Sequence, residues 1–158
     1  MQANDTVQDF TLQDQDGHYV SLSDFRSSPV VLFFYPRADT PGCTIEACGF
    51  RDSFEKLKDA GAIVIGISRD TVKAQKKFGG RYDLNYPLLA DAQETVCNYF
   101  GTIKPKSMYG KLVSGIERTT FVIAPSDVEG HQRVLHIFSK VKPGGHAEEV
   151  LALLQKTR

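Results

Sequence analysis

Residues 30–35, Val-Val-Leu-Phe-Phe-Tyr, form the longest unbroken apolar run in the chain, with Pro29 before it and Pro36 after it. Apolar, aromatic and β-branched residues in succession, without alternation, are the pattern of a strand covered on both faces. Such a strand obliges the rest of the chain to supply a layer on each side. Residues 62–68, Ala-Ile-Val-Ile-Gly-Ile-Ser, repeat the pattern. Between them, residues 41–60 carry Ala47, Phe50, Phe54 and Leu57 at helical spacing,. Buried strand, amphipathic helix, buried strand predicts two parallel strands joined by a crossover helix.

The remaining elements extend that unit. Residues 9–13 and 19–22 flank Asp14-Gln15-Asp16-Gly17 and read as an N-terminal hairpin,. A helix is expected from Asp70 to about Gly79-Gly80, another over residues 92–100, and a last one over residues 147–155,. Residues 119–124 and 133–141 read as late strands, while residues 101–117 read as a loop,. The expected fold class is α/β, a central mixed sheet flanked by helices with an N-terminal β-hairpin. At 158 residues, without a repeat or a linker, the chain is read as one domain, residues 1–158,.

Lys plus Arg (19) equals Asp plus Glu (19), so no net field favours a nucleic acid or an anionic membrane,. Six apolar residues cannot cross a bilayer that requires about 20 in a helix. The first residues, Met-Gln-Ala-Asn-Asp, have no basic and apolar signal pattern, which makes the cytoplasm the expected compartment,. There thiols stay reduced, so the three cysteines are read as reactive, metal-binding or core residues rather than as staples,.

The segment Tyr35-Pro36-Arg37-Ala38-Asp39-Thr40-Pro41-Gly42-Cys43-Thr44-Ile45-Glu46-Ala47-Cys48 lies where the first buried strand hands over to the helix. Ligands of open α/β sheets bind at such carboxyl ends. With Thr40 as N-cap and Pro41 in the first helical position, Cys43 falls in the first turn. Free backbone N–H groups and the helix dipole there favour thiolate over thiol. Ala47 and Phe50 share its inward face, so the thiolate is partly shielded, as a nucleophile for an oxygen–oxygen bond should be. Cys48 faces a more polar stripe with Arg51, Asp52 and Glu55. In an intact helix its Cα would stand roughly 8.7 Å from that of Cys43. A disulfide needs about 7 Å or less, so the two can pair only if a turn melts, and Gly49 eases that melting.

Pro36-x-x-x-Thr40-x-x-Cys43 matches the active-site motif of the peroxiredoxins. The longer string from Thr40 to Asp52 resembles the bacterioferritin comigratory protein, or peroxiredoxin Q, subfamily. The resemblance runs nearly end to end, through Asp9-Phe10-Thr11-Leu12, Tyr86-Pro87-Leu88-Leu89-Ala90-Asp91, Met108-Tyr109-Gly110 and Arg118-Thr119-Thr120-Phe121-Val122-Ile123. Gln8 departs from the family's frequent Pro, outside the active-site motifs. The resemblance implies a thioredoxin-like fold and thiol-dependent reduction of hydrogen peroxide and organic hydroperoxides; the sequence has no zinc pattern or Gly-rich phosphate loop, so no cofactor or metal is expected,. The resemblance makes Cys43 the peroxidatic residue and Cys48 the resolving one, joined as a redox disulfide. Arg118 would favour thiolate and orient peroxide, Thr40 would bind it and Pro36 would exclude water. Thioredoxin or glutaredoxin would supply the electrons to a monomer.

Two other functions compete. A disulfide oxidoreductase would need Cys-x-x-Cys, and four residues intervene here. A binding or chaperone module would not need the set Pro36, Thr40, Cys43 and Arg118 intact. Cys97, in an amphipathic stretch, is read as core. Glu46 is read as compensating the helix dipole. His18, His131, His136 and His146 have no ligand-like spacing with the cysteines and are read as structural or surface residues.

Overall fold

The computed structural model describes residues 1–157; Arg158, the last residue of the expected domain, lies outside them. The elements run β1 (Thr11–Gln13), β2 (Tyr19–Ser21), a 3-10 turn (Leu22–Phe25), β3 (Val30–Phe34), α1 (Pro41–Asp52), α2 (Phe54–Asp59) and β4 (Ile63–Ser68). They continue with α3 (Val72–Arg81), β5 (Leu88–Ala90), α4 (Thr95–Tyr99), β6 (Ile103–Met108), β7 (Lys111–Ile116), β8 (Thr119–Ile123), β9 (Val134–Phe138) and α5 (His146–Lys156). The main sheet has seven strands in the order β2-β1-β5-β4-β3-β8-β9. The pairs β3–β4 and β4–β5 are parallel, and β8, β9 and the N-terminal hairpin are antiparallel, so the sheet is mixed as expected. Among the described residues no helix is long and apolar enough to cross a membrane.

The strand β3 is buried throughout, and its period of two divides the interior,. Val31, Phe33 and Tyr35 face one core with Ala47, Phe50, Phe78 and Val150; Val30, Leu32 and Phe34 face another with Val96, Phe100 and Phe121. Each such side chain stabilises the fold by about 1.5–3 kcal/mol when fully buried. Phe33 stacks on Phe50 with ring centroids 4.6 Å apart, which fixes α1 over the end of β3,. Gly66 lies opposite Phe33, where a Cβ would come within 2.9 Å of the ring. The absent side chain makes room for the stack.

Four expectations need correction. The segment 101–117 is not a loop: β6 and β7 pair from Ile103↔Ile116 to Met108↔Lys111 as a separate ribbon. Its faces are largely solvated, and Lys104, Pro105, Lys106, Lys111 and Gly115 leave no apolar alternation to read,. The expected helix over residues 41–60 is interrupted at Ser53, whose backbone (φ −94°, ψ 4°) leaves the helical conformation between α1 and α2. The helix expected from Asp70 begins one residue later, with the Thr71 hydroxyl capping Ala74 N–H, and the helix over 92–100 shortens to α4. Asp70 instead accepts the N–H of Ala38 at 2.8 Å and so holds the loop after β3. The three-residue strand β5 lies inside a motif that carried no strand assignment, too short for periodicity to mark.

Candidate active site

The loop from Pro36 to Thr40 leaves the carboxyl end of β3 and is tied down before α1 begins. Asp39 adopts a left-handed conformation (φ 63°) and accepts from Arg81 Nη1 and Tyr82 Oη, both at 2.9 Å. The Tyr82 hydrogen bond leads in holding its carboxyl below the ordinary carboxylate range. Thr40 is the N-cap residue by backbone conformation, and its hydroxyl donates to the Arg37 carbonyl at 2.9 Å rather than capping the helix. An oxygen that donates to the backbone keeps its lone pairs for another donor. Pro36 sits half-buried in the bend after β3.

Cys43 is buried in the first turn of α1, as expected from the placement of Pro41. Arg118, from the residue before β8, reaches it: Nη2 lies 3.4 Å from Cys43 Sγ, across 75 residues of sequence. Gly42 allows that approach, because a Cβ there would stand 3.1 Å from Arg118 Nη2 and 3.4 Å from Pro143. The other arm of the guanidinium, Nη1, donates to Glu46 Oε1 at 2.8 Å. Desolvation alone would lower the Arg118 pKa, but the charges of Glu46 and Cys43 outweigh it and raise it further, so the cation is permanent,. A fixed fork at the positive end of a helix is a device for holding a sulfur anion and for stabilising charge on an oxygen leaving it.

Glu46 corrects the sequence reading. Its side chain is fully buried, and Oε2 meets no hydrogen-bond partner among the described residues. Burial pushes its carboxyl up from 4.5 to about 7, against the pull of Arg118,. It is the second partner of the Arg118 guanidinium, not an acid compensating the helix dipole in the first turn. The signal was available: Glu46 lies three residues after Cys43 and four before Phe50, on the inward stripe,.

That carboxyl predicts a pH dependence. The folded protein holds a proton on Glu46 between pH 4.5 and about 7 that the unfolded chain releases. The associated stability is full below about 4.5 and gone once pH exceeds about 7, a change of about 3 kcal/mol at most,. Urea midpoints at pH 5 and pH 8 should therefore separate more in the wild type than in Glu46→Gln. Equal separation in the two proteins would contradict this assignment.

Cys48 lies half-buried on α1, and all three cysteines are free thiols. Its helical neighbours are tied elsewhere: Arg51 donates to the Tyr82 carbonyl at 2.7 Å, and Tyr86 donates to the Ala47 carbonyl at 2.7 Å. Cys97 is buried as expected, and burial pushes its thiol well up. His146 takes the structural of its two expected roles, buried, bonded to Thr120 and Glu149 and edge-on to Phe50 and Phe138. The structure thus brings Cys43, Arg118 and, from outside the expected set, Glu46 into direct contact. It sets Thr40 at the same helix end and leaves Cys48 apart from Cys43 in the reduced state.

The sequence pattern of the AhpC/TSA family matches residues 3–129. The chain is 41% identical to peroxiredoxin Bcp of Escherichia coli strain K12 over 156 residues, covering 99% of this chain and 97% of the relative. Its structure is similar to the crystal structure of peroxidoxin BcpB from Mycobacterium tuberculosis, with a TM-score of 0.86, 44% identity and coverage of 100% and 99%. It is equally similar to a Xanthomonas campestris bacterioferritin comigratory protein described for its alkyl peroxide reduction activity. There the TM-score is 0.86, the identity 38% and the coverage 94% and 91%.

Proposed function

Because this chain belongs to the AhpC/TSA family and, within it, is a thioredoxin-fold peroxiredoxin of the Bcp and peroxiredoxin Q type, we propose that Cys43 is its peroxidatic residue and Cys48 its resolving one. The observation that carries this reading is the 3.4 Å contact between Arg118 Nη2 and Cys43 Sγ at the first turn of α1. The Cys43 thiolate attacks one oxygen of the hydroperoxide. An S–O bond forms, the O–O bond breaks, and its electron pair departs on the distal oxygen, which takes a proton and leaves as water or an alcohol. Arg118 stabilises the thiolate and the charge on that departing oxygen. Thr40 offers its hydroxyl to the bound peroxide, and Pro36 helps exclude water.

Cys43 is then a sulfenic acid. Cys48 attacks its sulfur, the S–S bond forms, the S–O bond breaks and water leaves. An external dithiol, thioredoxin or glutaredoxin, returns two electrons by exchange and ends as a disulfide itself. The substrate class extends to alkyl hydroperoxides, in line with the Xanthomonas relative. We place the chain in the cytoplasm as a monomer of one domain, in antioxidant defence, with balanced charge and, among the described residues, no spanning helix in support.

The test is the intact mass after one equivalent of hydrogen peroxide. Wild type should lose two hydrogens, and Cys48→Ser should gain one oxygen. A wild type that gains oxygen without forming a bond removes Cys48 from the scheme.

The same chemistry requires α1 to open. Bridging cysteines roughly 8.7 Å apart along an intact helix demands that at least a turn unwind. Amide exchange over residues 42–52 should accelerate in the disulfide form while β3 and β4 stay protected. Equal protection in both redox states would show that Cys48 does not resolve Cys43.

A further inference from the structure

The Tyr86 hydroxyl occupies a position that the chemistry above does not use. Tyr86 stands between α3 and β5, 4% exposed, with its ring edge-on to Phe33 at 5.7 Å. Its hydroxyl donates at 2.7 Å to the carbonyl of Ala47, a residue of the segment between Cys43 and Cys48. A carbonyl inside a helix already accepts from the fourth residue on, so this bond is additional to the helix's own. No other hydrogen-bond partner of that hydroxyl is present among the described residues. Burial holds the phenol neutral and therefore a donor,.

We infer that Tyr86 is a latch on α1, holding the helix folded over Cys43 and setting how readily it opens for Cys48. This deepens the reading of Cys43 and Cys48 as a resolving pair and rests on it. When residues 43–48 unwind, the Ala47 carbonyl leaves its place. The Tyr86 ring, packed on Phe33 in the core, cannot follow. The hydroxyl is then buried without an acceptor, a penalty borne only by the open state. A phenylalanine in that position has the same packing and no such penalty. The consequence is a division of time: a tight latch keeps Cys43 in its pocket for peroxide, and a loose one delivers it sooner to Cys48. The sulfenic acid waiting in the closed helix is also the species that a second peroxide converts to sulfinic acid.

Tyr86→Phe tests this with readouts that a general loss of packing would not produce. In the reduced protein, amide exchange over residues 43–48 should rise roughly threefold to tenfold, with β3 and β4 unchanged. Oxidation of Cys43 by the first equivalent of hydrogen peroxide should keep its rate. Disulfide formation should accelerate by a similar factor, and the sulfinic fraction under excess peroxide should fall correspondingly. Unchanged exchange and an unchanged sulfinic fraction would overturn the latch. Exchange that rises equally in β3 and β4 would overturn it too, because the bond would then serve the whole core. If wild type forms no bond between Cys43 and Cys48, the resolving assignment fails. The exchange comparison in the reduced protein still decides whether Tyr86 restrains α1.

Discussion

The Cys43→Ser protein is expected to lose consumption of hydroperoxide by about four orders of magnitude or more, the scale on which removing an activated nucleophile acts. A serine hydroxyl in the first turn of α1 keeps the helix dipole and the Arg118 fork but does not ionise near neutral pH. Neither remaining thiol can substitute. Cys48 sits beyond the first turn, away from the guanidinium, and the Cys97 thiol is buried beside Asp91 and pushed well up. Hydrogen peroxide decay with a dithiol reductant in excess measures the loss. Cys48→Ser is the control, since it should still perform the first oxidation. A Cys43→Ser protein within tenfold of wild type would show that another group attacks the peroxide, and a binding or chaperone role would regain its place.

The second large effect concerns Arg118. Its two terminal nitrogens serve two partners at once, Cys43 Sγ at 3.4 Å and Glu46 Oε1 at 2.8 Å. Lysine keeps the charge but not the planar fork, and one ammonium cannot hold both partners in that geometry. Arg118→Lys should lose about 10²-fold in the second-order rate with peroxide. It should also lose stability, because a buried ion pair with one partner displaced leaves the other poorly compensated. The two losses are separable. Adding Glu46→Gln removes the buried carboxyl left without its guanidinium partner, so the double variant should recover its urea midpoint and not its rate. Recovery of both would make Arg118 a structural partner of Glu46 alone.

How much of this could be read beforehand follows from how each feature is written in a chain. The strand at β3 was legible because burial on both faces leaves no polar residue in residues 30–34. Cys43 was legible because proline, glycine and threonine mark a helix start locally, within four residues. The ribbon of β6 and β7 was not, since a hairpin with solvated faces has no apolar alternation, and its register is held by its own backbone. The inward place of Glu46 was legible from its helix position, but the cation it meets there was not, because Arg118 lies 72 residues away. The Tyr86 latch was hidden for the same reason: its bond joins two segments 39 residues apart.

The interruption at Ser53 sets a tempo for the enzyme. Helix unwinding is cooperative, so in an unbroken helix over residues 41–60 a melted turn near Cys48 would weaken the turns beyond it. Leu57, fully buried under β4, would then be loosened at every catalytic cycle. Since α2 starts afresh after Ser53, the part that the proposed Cys43–Cys48 bridge requires to come apart and re-form is at most the 12 residues of α1. Helix–coil relaxation on that scale takes about 0.1–1 μs. Rewinding is thus far quicker than a bimolecular encounter with a reductant at cellular concentration, and the pace of the cycle passes to the supply of peroxide and dithiol.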